Sequence, residues 1–457
     1  MPDAAASAPL SAAEREAVYR RNFRYFLGDT ILFNLALALV GSSTVIPDFV
    51  RHLTSSEILI GLSGSLFNVG WLLPQLFVAR YVGRWARKKW LFVGPNMVVR
   101  WVLLLFGGLV IWLGPARPGA VLVAFFVCYS IAAFGDGLVG IPWADLAGTS
   151  LNNRWRARMF GLATAVAGVT MLLIAPLIGV VLGPNGPGFP TNYALLFIAS
   201  GATFAISILP GLFFRELPGA PAAPVPALRD FTRTLLHGLR ADGALRAFLL
   251  TRICASLFLM AAPFYIGFAT VELGLSSSVA VPVLLAMQTI GSVSGALLYA
   301  WLGARSNTHY IRLALAGAAV LPLCALLAVW LGPLPLYLGF LVGGLFTENL
   351  LSAFLNWVVG YGSPAQRPLF VGLTNTVAAA VALIAPFIAG TIAQTLGYRA
   401  LFVVALLITL LALYIATRYL SDPEAYQHPE PEPAAAESTI LTHLAPEALE
   451  SPEAPTL

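Results

Sequence analysis

Twelve apolar runs of about 20 residues divide this chain, each long enough to cross roughly 30 Å of hydrocarbon as an α-helix. They fall at residues 25–50, 58–79, 90–113, 120–141, 159–182, 193–214, 248–270, 279–302, 311–331, 336–359, 369–394 and 399–417. In hydrocarbon every backbone N–H and C=O must find its partner within the protein, so only helices or a closed barrel can span it, and runs of this length select helices. Only 10% of the 457 residues are charged, against about 25% in a soluble protein. The expectation is an all-α membrane protein. No cleavable signal is expected, because the residues before Tyr25 are mixed and charged and lack an apolar core.

The basic residues set the topology. Twenty-one of the 26 lysines and arginines fall on the side of the N-terminus and three (Arg51, Arg117, Arg399) on the opposite side. That asymmetry predicts both termini in the cytoplasm. The net charge of +5 therefore marks topology, and no nucleic-acid partner is expected. The chain has two lysines and is rich in Ala, Gly and Arg, a high-GC prokaryotic pattern that points to a plasma membrane. Cys128, Cys254 and Cys324 lie far apart in apolar segments, without metal spacing, so neither a disulfide framework nor a metal or cofactor is expected.

The spans form two copies of one module. Leu173-Ile174-Ala175-Pro176 with Ile178 returns as Leu383-Ile384-Ala385-Pro386 with Ile388, 210 positions later. Arg24-x-Phe26-Leu27 and Leu53-x-Ser55-Ser56 return at an offset of 222, Trp112-Leu113-Gly114-Pro115 at 218, and Tyr193 with Phe197 at 205. An offset that only shrinks is what a second copy with shorter loops produces. Six spans per copy is an even number, so the copies are parallel repeats about an axis along the membrane normal. The expected organisation is a cytoplasmic segment 1–24, a six-helix bundle 25–214, a cytoplasmic linker 215–247, a second bundle 248–420 and a tail 421–457. Within the linker, Phe231, Leu235, Leu236 and Leu239 oppose Arg229, Arg233 and Arg240, as in a helix lying at the membrane surface. The tail is acidic and Pro-rich, without Lys or Arg, and is expected to be disordered.

Twelve helices in two parallel halves resemble the major facilitator superfamily of secondary transporters, over roughly residues 20–420. The family's loop between helices 2 and 3 reads Gly-x-x-x-Asp-Arg-x-Gly-Arg-Lys. Residues Ala79 to Lys89 resemble it through Arg84, Arg87, Lys88 and Lys89, with Gly83 in place of the acid and Ala86 in place of the second glycine. The resemblance implies a gating loop at those four basic residues and a central cavity lined by helices 1, 4, 7 and 10. Ala175-Pro176-x-x-Gly179 resembles part of a Gly-Pro-x-x-Gly motif of the family's proton-driven exporters. Because Ala385-Pro386 repeats it, a packed bend serving both halves is an equal reading.

Five charges fall inside the spans and more than three residues from either end: Asp29, Arg100, Asp136, Arg252 and Glu348. Each costs roughly 2.5–3.5 kcal/mol to insert, so each needs a reason. Glu348 is about 18 Å deep by helix rise, near mid-membrane. With Ser352 and Asn356 at i+4 and i+8, and Asn349 alongside, it forms a polar helix face. It is the candidate for proton coupling or for binding a cationic solute, the alternative being a carboxyl bonded to a neighbouring helix. Asp29, Asp136 and Arg252 lie toward the N-terminal side, where an ion pair could close the mouth of the cavity. Arg252 alone reads as a snorkelling side chain. Arg100 is expected to pair with an acid, such as Asp136 on the next helix. Asn34, Asn68 and Gln288, with Trp71, Gln75, Ser292 and Asn375, either line the cavity or make interhelical bonds worth about 0.6 kcal/mol each. Gly291-x-x-x-Gly295 reads as a packing seam, and Trp143 and Trp357 as interface anchors.

Two functions compete. One is a secondary transporter, a monomer moving a small organic solute with protons, export being favoured by the fifth span. The other is a transporter-like sensor, scaffold or lipid-handling protein. No Gly-Lys-Ser/Thr phosphate loop or His-Glu-x-x-His motif is present to support an enzyme.

Overall fold

The computed structural model describes residues 11–82, 88–217, 243–303, 305–361 and 367–422. The linker helix expected around residues 228–240, the tail from 423, and Arg84 and Arg87 lie outside them, as does the side chain of Gln75.

The described residues form helices and no strand. In chain order, α1 runs Ala12–Val40 and resumes as Val45–Arg51; α2 is Glu57–Val82; α3 is Lys89–Val99 and Val102–Leu113. Then α4 is Pro118–Ser150, α5 Asn153–Leu182, and α6 Thr191–Ile206 with Ile208–Leu212. In the second half, α7 is Gly243–Phe258, continued irregularly to Glu272; α8 is Ser277–Leu302; α9 is Asn307–Ala318 and Val320–Leu331; α10 is Leu334–Thr347 and Leu350–Tyr361. Among the described residues, eleven helices are long and apolar enough to span a membrane. The last of them runs Arg367–Tyr419 and is two helices joined at Gly397, whose φ of 84° leaves the helical region, so α11 covers 367–396 and α12 398–419. Counted this way, the described residues hold twelve spans.

Helix α1 starts at Ala12, well before the apolar run. Ser11 caps the Glu14 amide while the Glu14 side chain returns to the Ser11 amide, and this reciprocal cap extends the helix through a polar segment that hydropathy alone reads as a tail.

The two halves repeat each other in backbone detail. The Trp-Leu-Gly-Pro echo ends α3 and α9 on Gly114 (φ 64°) and Gly332 (φ 77°), a conformation that carries no steric cost only for glycine. Trp112 and Trp330 stand equally exposed on the outside, both at 76%. Helix α1 breaks at Gly41–Thr44 and α7 at Leu259–Pro263, while α3 and α9 are interrupted at Arg100–Trp101 and Ala319. Breaks at matched repeat positions are features of the module, not accidents of either copy.

The halves meet through α2 on α11 and α5 on α8. Under the repeat, α2 maps to α8 and α5 to α11, so the two contacts are one contact made twice. The duplicated Ala-Pro bend sits on both seams. A Cβ on Gly390 would lie 2.5 Å from the Ile58 Cα, and one on Gly179 3.0 Å from the Ser278 carbonyl oxygen. Close helix approach of this kind supplies the packing that hydrophobicity cannot supply between helices in lipid.

The apolar cores show where the halves part. On the side away from the N-terminus, the far side, one continuous core contains Phe49, Phe125 and Phe197 from the first half together with Phe264, Phe268 and Phe402 from the second. On the near side the core splits. Phe26, Phe92 and Met159 pack within the first half, and Phe248, Tyr310 and Trp357 within the second.

Candidate functional site: a polar helix face and a far-side cluster

Outside these cores, α8 and α10 carry polar side chains. Glu348 occupies a two-residue turn, Glu348–Asn349, that interrupts α10 in the middle of its length. Its carboxylate is exposed and accepts a 2.8 Å hydrogen bond from Gln288 Nε2 on α8. Two turns nearer the N-terminal side, Asn356 Nδ2 donates to the Tyr299 hydroxyl at 2.6 Å. The α8–α10 seam that carries this ladder is tight, because Gly291 and Gly295 each admit an α10 carbonyl oxygen (Leu341, Leu345). Ser352 lies exposed on the same face, and Asn68 is exposed on α2. Asn34 on α1 and Asn375 on α11 are half-buried. Asn349 turns away from this face toward the buried Tyr310.

Other candidates turn into the bundles. Asp29 is buried and bridges to Arg100 at 3.1 Å (Oδ1 to Nη1), while Trp143 Nε1 donates to its Oδ2 at 2.9 Å. Arg100 also donates to the Ser207 hydroxyl and lies 5.5 Å from the Phe33 ring centre. Arg100 thus pairs with an acid, but the acid is Asp29 and not Asp136. Arg100 sits where α3 is interrupted, and Ser207 where α6 is interrupted, so the guanidinium reaches α1 and α6 instead of the next helix in the chain. Arg252 makes no ion pair with Asp29. It is buried in the second half with its guanidinium 4.8 Å from the Phe354 ring centre, a cation–π contact in place of the expected snorkelling. Trp357 is fully buried against Phe248 at 4.3 Å, and its ring N–H bonds the Ser421 carbonyl, so it packs a core instead of anchoring an interface. Trp143 is likewise spoken for by Asp29.

Of the four basic loop residues, Lys88 pairs with Asp145 on α4, and the Lys89 ammonium donates to the Leu212 carbonyl oxygen at 2.6 Å. The Glu216 carboxylate caps the start of α3 by accepting from the backbone amides of both lysines. All of these bonds lie within the first half and the start of the linker that follows it.

The sequence reading missed a far-side cluster. Arg51 grips Glu57 with two hydrogen bonds, at 2.7 and 3.2 Å, and the Tyr398 hydroxyl from the second half donates to Glu57 Oε1 at 2.6 Å. Arg51 packs so closely on Gly267 of α7 that a Cβ there would sit 2.1 Å from its Nη2. The repeat-mate Tyr193 donates to the fully buried Asp48 at 2.5 Å. The Tyr193–Tyr398 echo was visible, and Asp48 lies inside the first apolar run. Pairing each repeated tyrosine with a carboxylate was the available signal. Among the described residues, no group of three or more His, Cys, Asp or Glu could hold a metal ion.

Comparison with known proteins agrees with this architecture. A family model described as the Major Facilitator Superfamily matches residues 272–452. A point mutant of the nucleoside transporter NupG superposes with a TM-score of 0.67 at 14% identity, covering 87% of this chain and all of its own. The human organic anion transporter MFSD10 gives 0.57 at 17% identity, over 87% of this chain and 99% of its own. A bacterial homologue of the human lysosomal transporter Spinster gives 0.60 at 14% identity, over 90% and 99%. No curated protein matches the sequence. With the family match over residues 272–452 and the fold shared over nearly all of its described length, the chain is similar to the Major Facilitator Superfamily.

Proposed function

We propose that this protein is a secondary active transporter that carries a small organic solute by alternating access, coupled to protons. The observation that carries the reading is the division of the core. One core joins the halves on the far side and two separate cores hold them on the near side, with an exposed polar face of Glu348, Ser352 and Asn356 on α10. Two rigid bundles hinged over a polar face near mid-membrane are what rocking-bundle transport requires. The distribution of basic residues makes the near side cytoplasmic, so this is an inward-facing arrangement in a plasma membrane. Glu348 is the ligand for a proton or for a cationic group on the solute, positioned by Gln288. The Ala175-Pro176 bend on the α5–α8 seam, the position that resembles the exporter motif, favours export. The solved relatives, a nucleoside transporter and an organic anion transporter, support a small organic solute as the class. The working unit is a monomer, since one chain supplies both halves and the polar face between them.

The test uses purified protein in liposomes holding a pH-sensitive dye, challenged with nucleosides, organic anions, lipophilic cations, sugars and amino acids. A solute-dependent proton flux is expected, reduced at least tenfold in Glu348→Gln. A wild-type rate with unchanged pH dependence in that variant would remove Glu348 from the mechanism.

A further inference from the structure

Inside the first half, away from the α8–α10 polar face, Arg100 and Asp136 share the wall of a small cavity with Leu37, Phe67, Tyr129 and Phe204. The volume open to the centre of a water-sized sphere is about 20 Å³, room for about one water molecule. No organic solute fits there. Asp136 is only 8% exposed and lines this cavity. Among the described residues its carboxylate has no hydrogen bond and no ion pair, because Arg100 is already held by Asp29 and Ser207.

The charges around Asp136 are few. Arg100 faces it from α3 and Asp29 from α1. Tyr129 stands two turns back on its own helix, while the cavity wall receives Phe67 from α2 and Phe204 from α6, neither of them titratable. Two carboxylates therefore share one guanidinium, and the cluster carries one negative charge in excess. An uncompensated charge in a low-dielectric bundle is strongly disfavoured, so the cluster is complete only with one more positive charge. A metal cation would need several oxygen ligands. Beyond Asp136 and Tyr129 the wall offers no side-chain oxygen, and Arg100 repels a second cation. A proton needs only the carboxylate and, at most, one water.

We propose that Asp136 is a proton-binding site within the first half, separate from the polar face that carries Glu348. A proton taken from water bonds to a carboxylate oxygen of Asp136 and leaves by the same route. When Asp136 is ionised, Arg100 is drawn between two carboxylates. When it is protonated, Arg100 stays with Asp29 and Ser207, and the tie between α1, α3 and α6 tightens. The use of this proton for coupling rests on the transport reading, but its binding does not.

The experiment is pH-difference infrared spectroscopy on the purified full-length protein, beside Asp136→Asn, Asp136→Glu and Glu348→Gln, with thermal melting as the check on folding. The carbonyl band of a buried protonated carboxyl is expected to appear on acidification in wild type and in Glu348→Gln. It should be missing from Asp136→Asn and displaced in frequency in Asp136→Glu, which keeps the test valid if the Asn variant does not fold. The same band persisting unchanged in folded Asp136→Asn overturns the proposal. Its removal by sodium at constant pH overturns it in favour of a metal cation. In liposomes, solute exchange that survives in Asp136→Asn while proton flux is lost would support coupling through this site. A wild-type protein silent for every solute but showing the Asp136 band would sink the transport reading and leave the proton site standing.

Discussion

At the scale of single residues, the first half is held by a buried ion pair whose members are mutually dependent. Asp29 has Arg100 and Trp143 as partners, and Arg100 has Asp29, Ser207 and the faces of Phe33 and Phe92. Removing one member of a buried pair strands the other, at a cost of about 3–5 kcal/mol. Arg100→Leu is therefore expected to destabilise the protein by about that amount, read as a marked drop in melting temperature in detergent. Asp29→Asn in the Arg100→Leu background should recover part of it, since no charge is then left unpaired. A drop no larger than that of an exposed substitution would mean the pair is solvated. The charges themselves were legible in the chain, because an arginine and two aspartates in apolar runs stand out. Their pairing was not, because it depends on where α3 and α6 are interrupted, and no propensity of Trp101 or Ser207 announces a break.

At the scale of elements, the duplicated Ala-Pro bend marks the two seams between the halves. Sequence comparison within the chain finds the repeat but cannot say what each copy touches. Packing shows that α5 meets α8 and α11 meets α2, each through a glycine at a close approach. Gly390→Val is expected to push α11 off α2 on the far side, since the added carbon falls within van der Waals distance of the Ile58 backbone. The result should be a shift toward a state open on the far side, seen as increased labelling of a cysteine introduced at Ile58. Unchanged labelling would mean that α2 yields without opening.

At the scale of the whole molecule, the halves are joined on the far side by a polar cluster laid over a shared apolar core. Arg51 and Glu57 belong to the first half and Tyr398 to the second, and all three are largely withdrawn from solvent. Removing the tyrosine hydroxyl deletes two hydrogen bonds across the seam, one donated to Glu57 and one accepted from Arg51; at about 0.5 kcal/mol each they are together worth about 1 kcal/mol, or about a fivefold change in an equilibrium. Tyr398→Phe should therefore raise the far-side-open population about fivefold, measured by spin-label distances between the far ends of α1 and α7. Arg51→Lys, which loses the two-pronged grip, should act in the same direction. If neither variant moves the distance distribution, the apolar core alone holds the closure.

What the chain determines by itself is what hydrocarbon forces on it. Twelve runs long enough to span, an asymmetry of basic residues and an internal repeat are one-dimensional properties, and each has a strong physical consequence for a backbone that cannot leave its hydrogen bonds unmade. Glu348 also stood out, since a carboxylate in mid-span is costly wherever the fold puts it. The tertiary structure decided which polar groups meet. It turned Asp29, Arg100, Asp136 and Arg252 into the bundles, left Glu348 in the open, and brought Tyr398 onto Glu57 from 341 residues away. Those outcomes depend on helix breaks, close approaches and crossing positions, which arise from packing between segments distant in sequence and leave no periodic trace in either one.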